Sequence, residues 1–187
     1  HSIKDLIALA KAKPGQLNYA SSGVGGTTHL AMELFKTTAG VDILHIPYKG
    51  TAAGVADMLA GNIQVMFDVM ATSGPHVKTG KLRFIGVTTT KRSAFAPDVP
   101  TIADAGFPGF EATFWTGFLA PAGTPREIIN KLSAELAKVI ALPELRERFA
   151  TLGMEPRTSN PEQFAAFIRS ETVKWAKVVR DSGAKAD

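Results

Sequence analysis

The chain of 187 residues is 45% hydrophobic and 20% charged, with 21 lysines and arginines against 17 acids and no cysteine. That length suffices for a core in one domain or two small lobes, and the missing cysteine excludes disulfides, thiolate catalysis and cysteine-ligated metals. The excess of +4 is scattered over Lys4, Lys11, Lys13, Lys78, Lys81, Arg83, Lys91 and Arg92, which argues against a nucleic-acid surface and fits a protein that handles small anions.

In chain order, Ser2-Ile3-Lys4-Asp5 reads as a helix cap with an acid three residues on, and Ile3, Leu6, Ile7 and Ala10 form an apolar stripe ending near Pro14-Gly15. No apolar run approaches a membrane span and no signal peptide opens the chain. Either a leader was removed or the chain begins partway into a longer protein, and the abrupt start at a helix favours the second expectation. Short apolar stretches at 17–20, 43–46, 64–67 and 83–87 are predicted as strands, and 28–38, 52–60 and 74–79 as the helices between them. Such alternation implies an α/β fold with a parallel sheet. Ligands of open parallel sheets bind beyond the carboxyl ends of the strands. The four loops expected there, 21–28, 47–51, 68–73 and 88–90, are all rich in hydroxyls, glycine or charge.

The first of these loops is the most informative. Ser21-Ser22-Gly23-Val24-Gly25-Gly26-Thr27-Thr28-His29 joins a strand to a helix. Gly23, Gly25 and Gly26 tolerate positive φ and let a ligand reach the backbone. Thr27 or Thr28 is predicted as the N-cap, which leaves N–H groups aimed at whatever precedes the helix. With the macrodipole, such a turn suits a carboxylate, phosphate or sulfate. The plain alternative is a flexible turn before an ordinary helix. The dinucleotide fingerprint fails because Thr28 stands at its third glycine, and neither a phosphate-binding P-loop nor a nucleophile elbow is present.

Beyond Val87, a Pro-punctuated segment leads to a predicted short helix at 101–105. The apolar, aromatic stretch 110–120 is predicted as a strand passing from one lobe to another. Thr124-Pro125-Arg126-Glu127 reads as a cap, Pro at the first helical position and a Glu in the first turn. Ile128, Leu132 and Leu136 follow on one face, a second helix runs 143–152, and Asn160-Pro161-Glu162-Gln163 opens the last helix, with Phe164, Phe167 and Trp175 on its stripe. These helices need a sheet to cover. Their apolar faces are therefore expected to lack part of their cover, so that this chain pairs with another copy or rearranges there.

The motifs Leu17-Asn18-Tyr19-Ala20-Ser21-Ser22-Gly23-Val24-Gly25, His29-Leu30, Ile46-Pro47-Tyr48-Lys49-Gly50, Met66-Phe67-Asp68, Gly80-Lys81-Leu82-Arg83, Pro97-Asp98-Val99-Pro100-Thr101 and Leu119-Ala120-Pro121-Ala122-Gly123-Thr124-Pro125 occur in this order. Together they resemble the Bug family, the substrate-binding proteins of tripartite tricarboxylate transporters, from Ile3 to Lys185. The resemblance implies a two-lobed fold of the type II periplasmic-binding-protein kind that closes on a small carboxylate in the periplasm and hands it to membrane permease subunits. It implies that residues 1–110 are the ligand-binding lobe and that 111–187 supply a crossover strand and helices of the other. The N-terminal section of that other lobe is expected to be missing, leaving the C-terminal two-thirds of such a receptor. The ligand residues it implies are Ser21, Ser22, Gly23, Gly25, Gly26, Thr27 and Thr28, with Tyr48, Lys49 and Gly50 bordering the same pocket. Gly26 stands where relatives often carry Ser or Thr, and Val69-Met70-Ala71 is more apolar than in many of them.

Weighed singly, His29 lies in the first helical turn and is read as a ligand-binding residue that donates to the anion or supports its site. Lys49 is read as a counter-charge or a solvated lysine. Asp68, ending a strand beside the site, is read as a partner for an ammonium or ordered water, or as a turn cap. His1, His45 and His76 lack metal-ligand spacing, so no metal is expected. No cofactor or catalytic group is expected either, because no nucleophile-base order or paired carboxylates stand out. The ligand-sensing lobe of a transcription regulator shares this fold class and is the alternative; an upstream helix-turn-helix would mark it.

Overall fold

Strand β1 (Asn18–Ser21) is the centre of the sheet because Tyr19, Ala20 and Ser21 are all buried, as a strand covered on both faces requires. The computed structural model describes residues 1–184, so Lys185, where the Bug-like resemblance ends, lies outside the described residues. β1 pairs in parallel with β2 (Leu44–Pro47) on one side and β3 (Val65–Met66) on the other, giving the order β2-β1-β3. The first helix, α1 (Ile3–Ala12), is capped by Ser2, whose hydroxyl accepts from the Asp5 amide at 3.2 Å. Helices α2 (Thr27–Ala39) and α3 (Thr51–Leu59) pack on β1, and α4 (Met70–Lys78) follows β3. All three strands leave by the same edge, so the loops after Ser21, Pro47 and Met66 share it.

Two compact units result: His1–Phe114 together with the chain from Lys177 on, and Trp115–Ala176. In the first, Ala31, Met32, Phe35 and Ala39 put the apolar face of α2 into the core. Phe35 meets Phe67, Phe107 and Phe110 edge-on, with centroids 6.1–6.4 Å apart. Gly40 in the left-handed conformation (φ 61°) ends the helix, as a C-terminal glycine does. The second unit holds α5 (Arg126–Ala141), α6 (Pro143–Thr151) and most of α7 (Pro161–Ser182). Asn160 and Gln163 cap α7 reciprocally, at 3.0 and 2.8 Å. The Trp115 ring packs edge-on against Phe164 and Phe167, and its indole N–H donates to Glu171, which also accepts from Trp175.

Several sequence expectations need correction. Residues 83–87 form no strand; their single ladder contact is a parallel bridge from Val87 to Thr101. The amides of Lys81 and Leu82 both turn back onto the His76 carbonyl, and Val87 exchanges bonds with Pro100 and Ile102 instead of pairing with β3. Gly86 rests against Ile3 of α1, where a Cβ would come within 2.4 Å of a side-chain carbon. Residues 101–105 are turns rather than a helix: Thr101 and Asp104 cap each other, but Gly106 (φ 114°) stops the chain before a second turn forms. The stretch 110–120 forms no strand, and the boundary between the units falls within it. Thr124 does not cap α5; its hydroxyl donates back to Pro121, and Pro125 occupies the cap position. On the second unit Ile128 and Leu132 are half exposed, and none of the side chains of α5 and α6 is buried.

Candidate functional site

β1 ends at Ser21, and the next five residues turn the chain into α2. The turn is held by its own side chains. The Ser22 amide donates to Thr28 Oγ1 at 2.9 Å, and the two hydroxyls lie 3.0 Å apart. The Gly23 amide donates to Ser21 Oγ at 3.2 Å, and the Gly25 amide to His29 Nδ1 at 3.0 Å. Gly26 donates weakly to the Gly23 carbonyl at 3.4 Å. Gly23 (φ 135°) and Gly25 (φ 74°) need the freedom of glycine, whereas Gly26 is extended at φ −70° and serves as the N-cap of α2. This corrects two expectations: Gly26 does not adopt positive φ, and neither Thr27 nor Thr28 is the cap, because the Thr28 hydroxyl faces Ser22. The amides of Ser22, Gly23 and Gly25 have protein acceptors.

The donors left over are the amides of Val24, Thr27, Thr28 and His29, for which no acceptor is found among the described residues. The last three are the orphan donors at the head of α2, with the positive end of the helix behind them. Thr27 and Val24 are exposed, so this end of the turn is open. The loop after β2 lies beside it: Tyr48 and Gly50 donate to the Ser21 and Ser22 carbonyls at 3.1 and 3.3 Å. A Cβ on Gly23 would stand 3.7 Å from the Tyr48 carbonyl. The Tyr48 hydroxyl is turned away and donates to Asp57 at 2.5 Å. The Lys49 side chain is exposed.

Asp68, after β3, behaves differently from the rest. Both its carboxylate oxygens are closed off from solvent and have no hydrogen-bond partner among the described residues. The nearby Ser73 hydroxyl donates to the Val69 carbonyl instead. Burial pushes the Asp68 carboxyl above its ordinary pKa. The folded state therefore holds the Asp68 proton more readily than the unfolded chain does. The stability this adds is complete below the unfolded carboxylate range and is lost as pH rises through the folded value. Asp68→Asn should accordingly raise the melting temperature at neutral pH by about 2–4 °C, on the order of 1 kcal/mol; a lower melting point would mean that the ionised carboxylate has a partner.

Beneath the turn lies a polar cluster that sequence reasoning missed. Tyr19 and Ser21 project from one face of β1, and His45 stands opposite Tyr19 on β2. The rings of Tyr19, His45 and His29 stack, with centroids 4.7 Å and 4.1 Å apart along the series. Glu33 Oε1 accepts from the Tyr19 hydroxyl at 2.6 Å and from Lys36 at 2.8 Å, and lies 4.0 Å from His29 Nε2. The spacing of His29, Glu33 and Lys36 (i, i+4, i+7) was a signal that could have found half of this cluster. Burial lowers the pKa of both histidines, and the charge on His29 adds to the effect at His45, which falls to about 4. Between the unfolded value of about 6.5 and about 4, the unfolded chain takes up a proton that folded His45 refuses. Stability should fall as pH drops through that window and level off below it. Melting curves of the parent and His45→Gln check this: the variant should show a shallower slope there, and an equal slope would refute the assignment.

Among the described residues no cluster of three or more His, Cys, Asp or Glu could hold a metal ion, and no helix is long and apolar enough to cross a membrane. Comparison with known proteins gives a consistent picture. The family described as tripartite tricarboxylate transporter family receptor matches residues 1–184. Among solved structures, the chain is similar to Rpa4515 of R. palustris with adipate (36% identity, TM-score 0.85, covering 98% of this chain and 61% of that one). It is also similar to the periplasmic binding protein BugD (32%, TM-score 0.82, 100% and 63%). A third is MatC (Rpa3494) from Rhodopseudomonas palustris with bound malate (29%, TM-score 0.78, 95% and 62%). The chain spans about half the length of the curated relatives it matches. Its fold is therefore α/β of the periplasmic-binding-protein kind.

Proposed function

The chain belongs to the tripartite tricarboxylate transporter receptor family, and from that premise we propose that it serves in the periplasm to capture a small mono- or dicarboxylate for the membrane permease subunits of such a transporter. The observation that carries this reading is the set of unengaged amides at Thr27, Thr28 and His29, with Val24 beside them, at the positive end of α2. A carboxylate set there gains several N–H donors and a favourable dipole. Ser21, Ser22, Gly23, Gly25 and Gly26 shape the turn, Tyr48 and Gly50 brace it, and Lys49 supplies a nearby positive charge. Asp68 borders the site from β3. Residues 1–110 form the ligand-binding lobe in this reading, and 111–187 belong to the other. That similar proteins hold adipate and malate supports diacids as the first candidates.

The magnitudes allow binding without catalysis. Hydrogen bonds to a charged group contribute roughly 1.5–3 kcal/mol each. Three or four of them contribute about 5–12 kcal/mol before the cost of association, so the about −8 kcal/mol of a micromolar binder draws also on contacts to the rest of the ligand. Calorimetry of the full-length protein with a panel of mono- and dicarboxylates, adipate and malate included, tests the reading, and silence across the panel would remove it. The half-exposed Ile128 and Leu132 support self-association of this chain when it is isolated; a monomer by sedimentation at high concentration would count against that.

A further inference from the structure

The turn before α2 contains three glycines, and an untied segment of that composition samples many backbone states. Its amides face outward only while something fixes its shape. Of the amides of Ser22, Gly23 and Gly25 that are tied within the turn, the last ends on His29 and the second on the Ser21 hydroxyl that His45 touches. Gly25 donates to His29 Nδ1 at 3.0 Å, so His29 carries its proton on Nε2, facing Glu33 at 4.0 Å. Gly23 donates to Ser21 Oγ at 3.2 Å, and that oxygen also lies 3.1 Å from the Gly23 carbonyl and 2.6 Å from His45 Nε2. Ser21 has one hydroxyl proton. With His45 Nε2–H donating to Ser21, the hydroxyl is free to donate to the Gly23 carbonyl, so the Ser21 hydroxyl uses its one proton and accepts from both neighbours. We propose that His29 and His45 are positioning residues: a stacked pair of neutral imidazoles that clamps Gly23 and Gly25 and so keeps the amides of Val24, Thr27 and Thr28 open to a carboxylate.

The pair works only as neutral rings. A proton on His29 Nδ1 would set N–H against the Gly25 N–H and undo that tie. Two imidazolium rings 4.1 Å apart repel each other, which discourages charging both. The charged and titratable groups facing the pair are Tyr19 from β1 and Glu33 and Lys36 from α2. Glu33, already holding the Tyr19 hydroxyl and the Lys36 ammonium, offers His29 Nε2 the negative side of the cluster. The clamp therefore favours the Nε2–H tautomer from both of its ends.

The inference rests on the carboxylate reading for its affinity arm, while the tautomer arm stands apart from it. The experiment compares His29→Leu with His29→Asn, whose Oδ1 takes the place of Nδ1, and His45→Leu with His45→Gln, whose Nε2 takes the place of the ring donor. Adipate and malate are the probes, titrated into full-length protein, and nitrogen NMR of the parent reads the imidazole tautomers. The leucine variants should bind about tenfold more weakly or worse, the loss of one such hydrogen bond, and Asn or Gln should recover most of that loss. Both histidines should show a bare Nδ1 and a protonated Nε2 at neutral pH. Parent protein that binds neither diacid sinks the receptor reading and this inference with it. Parent protein that binds while the leucine variants bind equally, or while Asn and Gln do no better than Leu, sinks the inference alone. Should the leucine variants fail to fold, the tautomers decide: a proton on His29 Nδ1 overturns the clamp, and a bare Nδ1 upholds it.

Discussion

Valine in place of Gly25 should remove carboxylate binding by about 100-fold or more, with only a modest loss of stability. Gly25 sits at φ 74°, a conformation that costs an L-residue about 1–2 kcal/mol and a β-branched one more. The turn can escape that strain only by moving, and its movement breaks the tie to His29 and swings the neighbouring Val24 and Thr27 amides out of register. Losing two donors to a charged group is worth about 3 kcal/mol, which is the fold-change expected. The core of the first unit does not depend on this exposed residue, so the melting point should fall by only about 3–6 °C. Calorimetry and melting curves on the same variant separate the two effects. Undiminished affinity would show that the shape of the turn does not matter to the ligand.

The largest stability effect is expected at Gly54. This residue lies in α3 where the helix meets β1, and a Cβ there would stand 2.9 Å from the Ala20 Cβ and 3.4 Å from the Met66 sulfur. The Ala20 carbon is fixed to the central strand and cannot yield as a flexible side-chain end does. Gly54→Val should destabilise by about 2–3 kcal/mol, or roughly 5–10 °C, through overpacking. It should also weaken binding, because α3 begins at Thr51, next to the loop that braces the turn. Gly74→Ala is the matched control. Gly74 is helical with nothing within 4 Å of its Cβ position, so alanine there should stabilise by about 0.5–1 kcal/mol. Equal melting points for the two variants would contradict the close packing of α3 on β1.

The parts of the fold that were legible from sequence are those decided locally. The cap at Ser2, the box formed by Asn160 and Gln163, the strand at β1 and the apolar face of α2 are each set by residues within a turn or two of one another. The failed strand at 83–87 comes from partners far along the chain, and the failed cap from a competing partner within the turn. Residues 83–87 have strand composition, but Val87 found its partner at Pro100–Ile102, and Gly86 fits against Ile3. Thr28 has the right type for a cap, but its hydroxyl is drawn backward to Ser22 by the tight turn, leaving Gly26 at the cap position. Within the candidate site, the glycines and hydroxyls announced an open backbone, whereas which amides stay unengaged depends on where those same hydroxyls point. The histidine stack was hidden for a related reason: Tyr19 and His45 meet only through the register of β1 on β2, which no local pattern encodes.

Which atoms meet the ligand is answered directly by a crystal structure of the full-length protein grown with adipate. One carboxylate should lie against the first turn of α2, within hydrogen-bond distance of the Thr27, Thr28 and His29 amides, with the ties from Gly25 to His29 and from Gly23 to Ser21 intact. A ligand bound elsewhere, or those three amides taken up by protein acceptors in the liganded state, would contradict it.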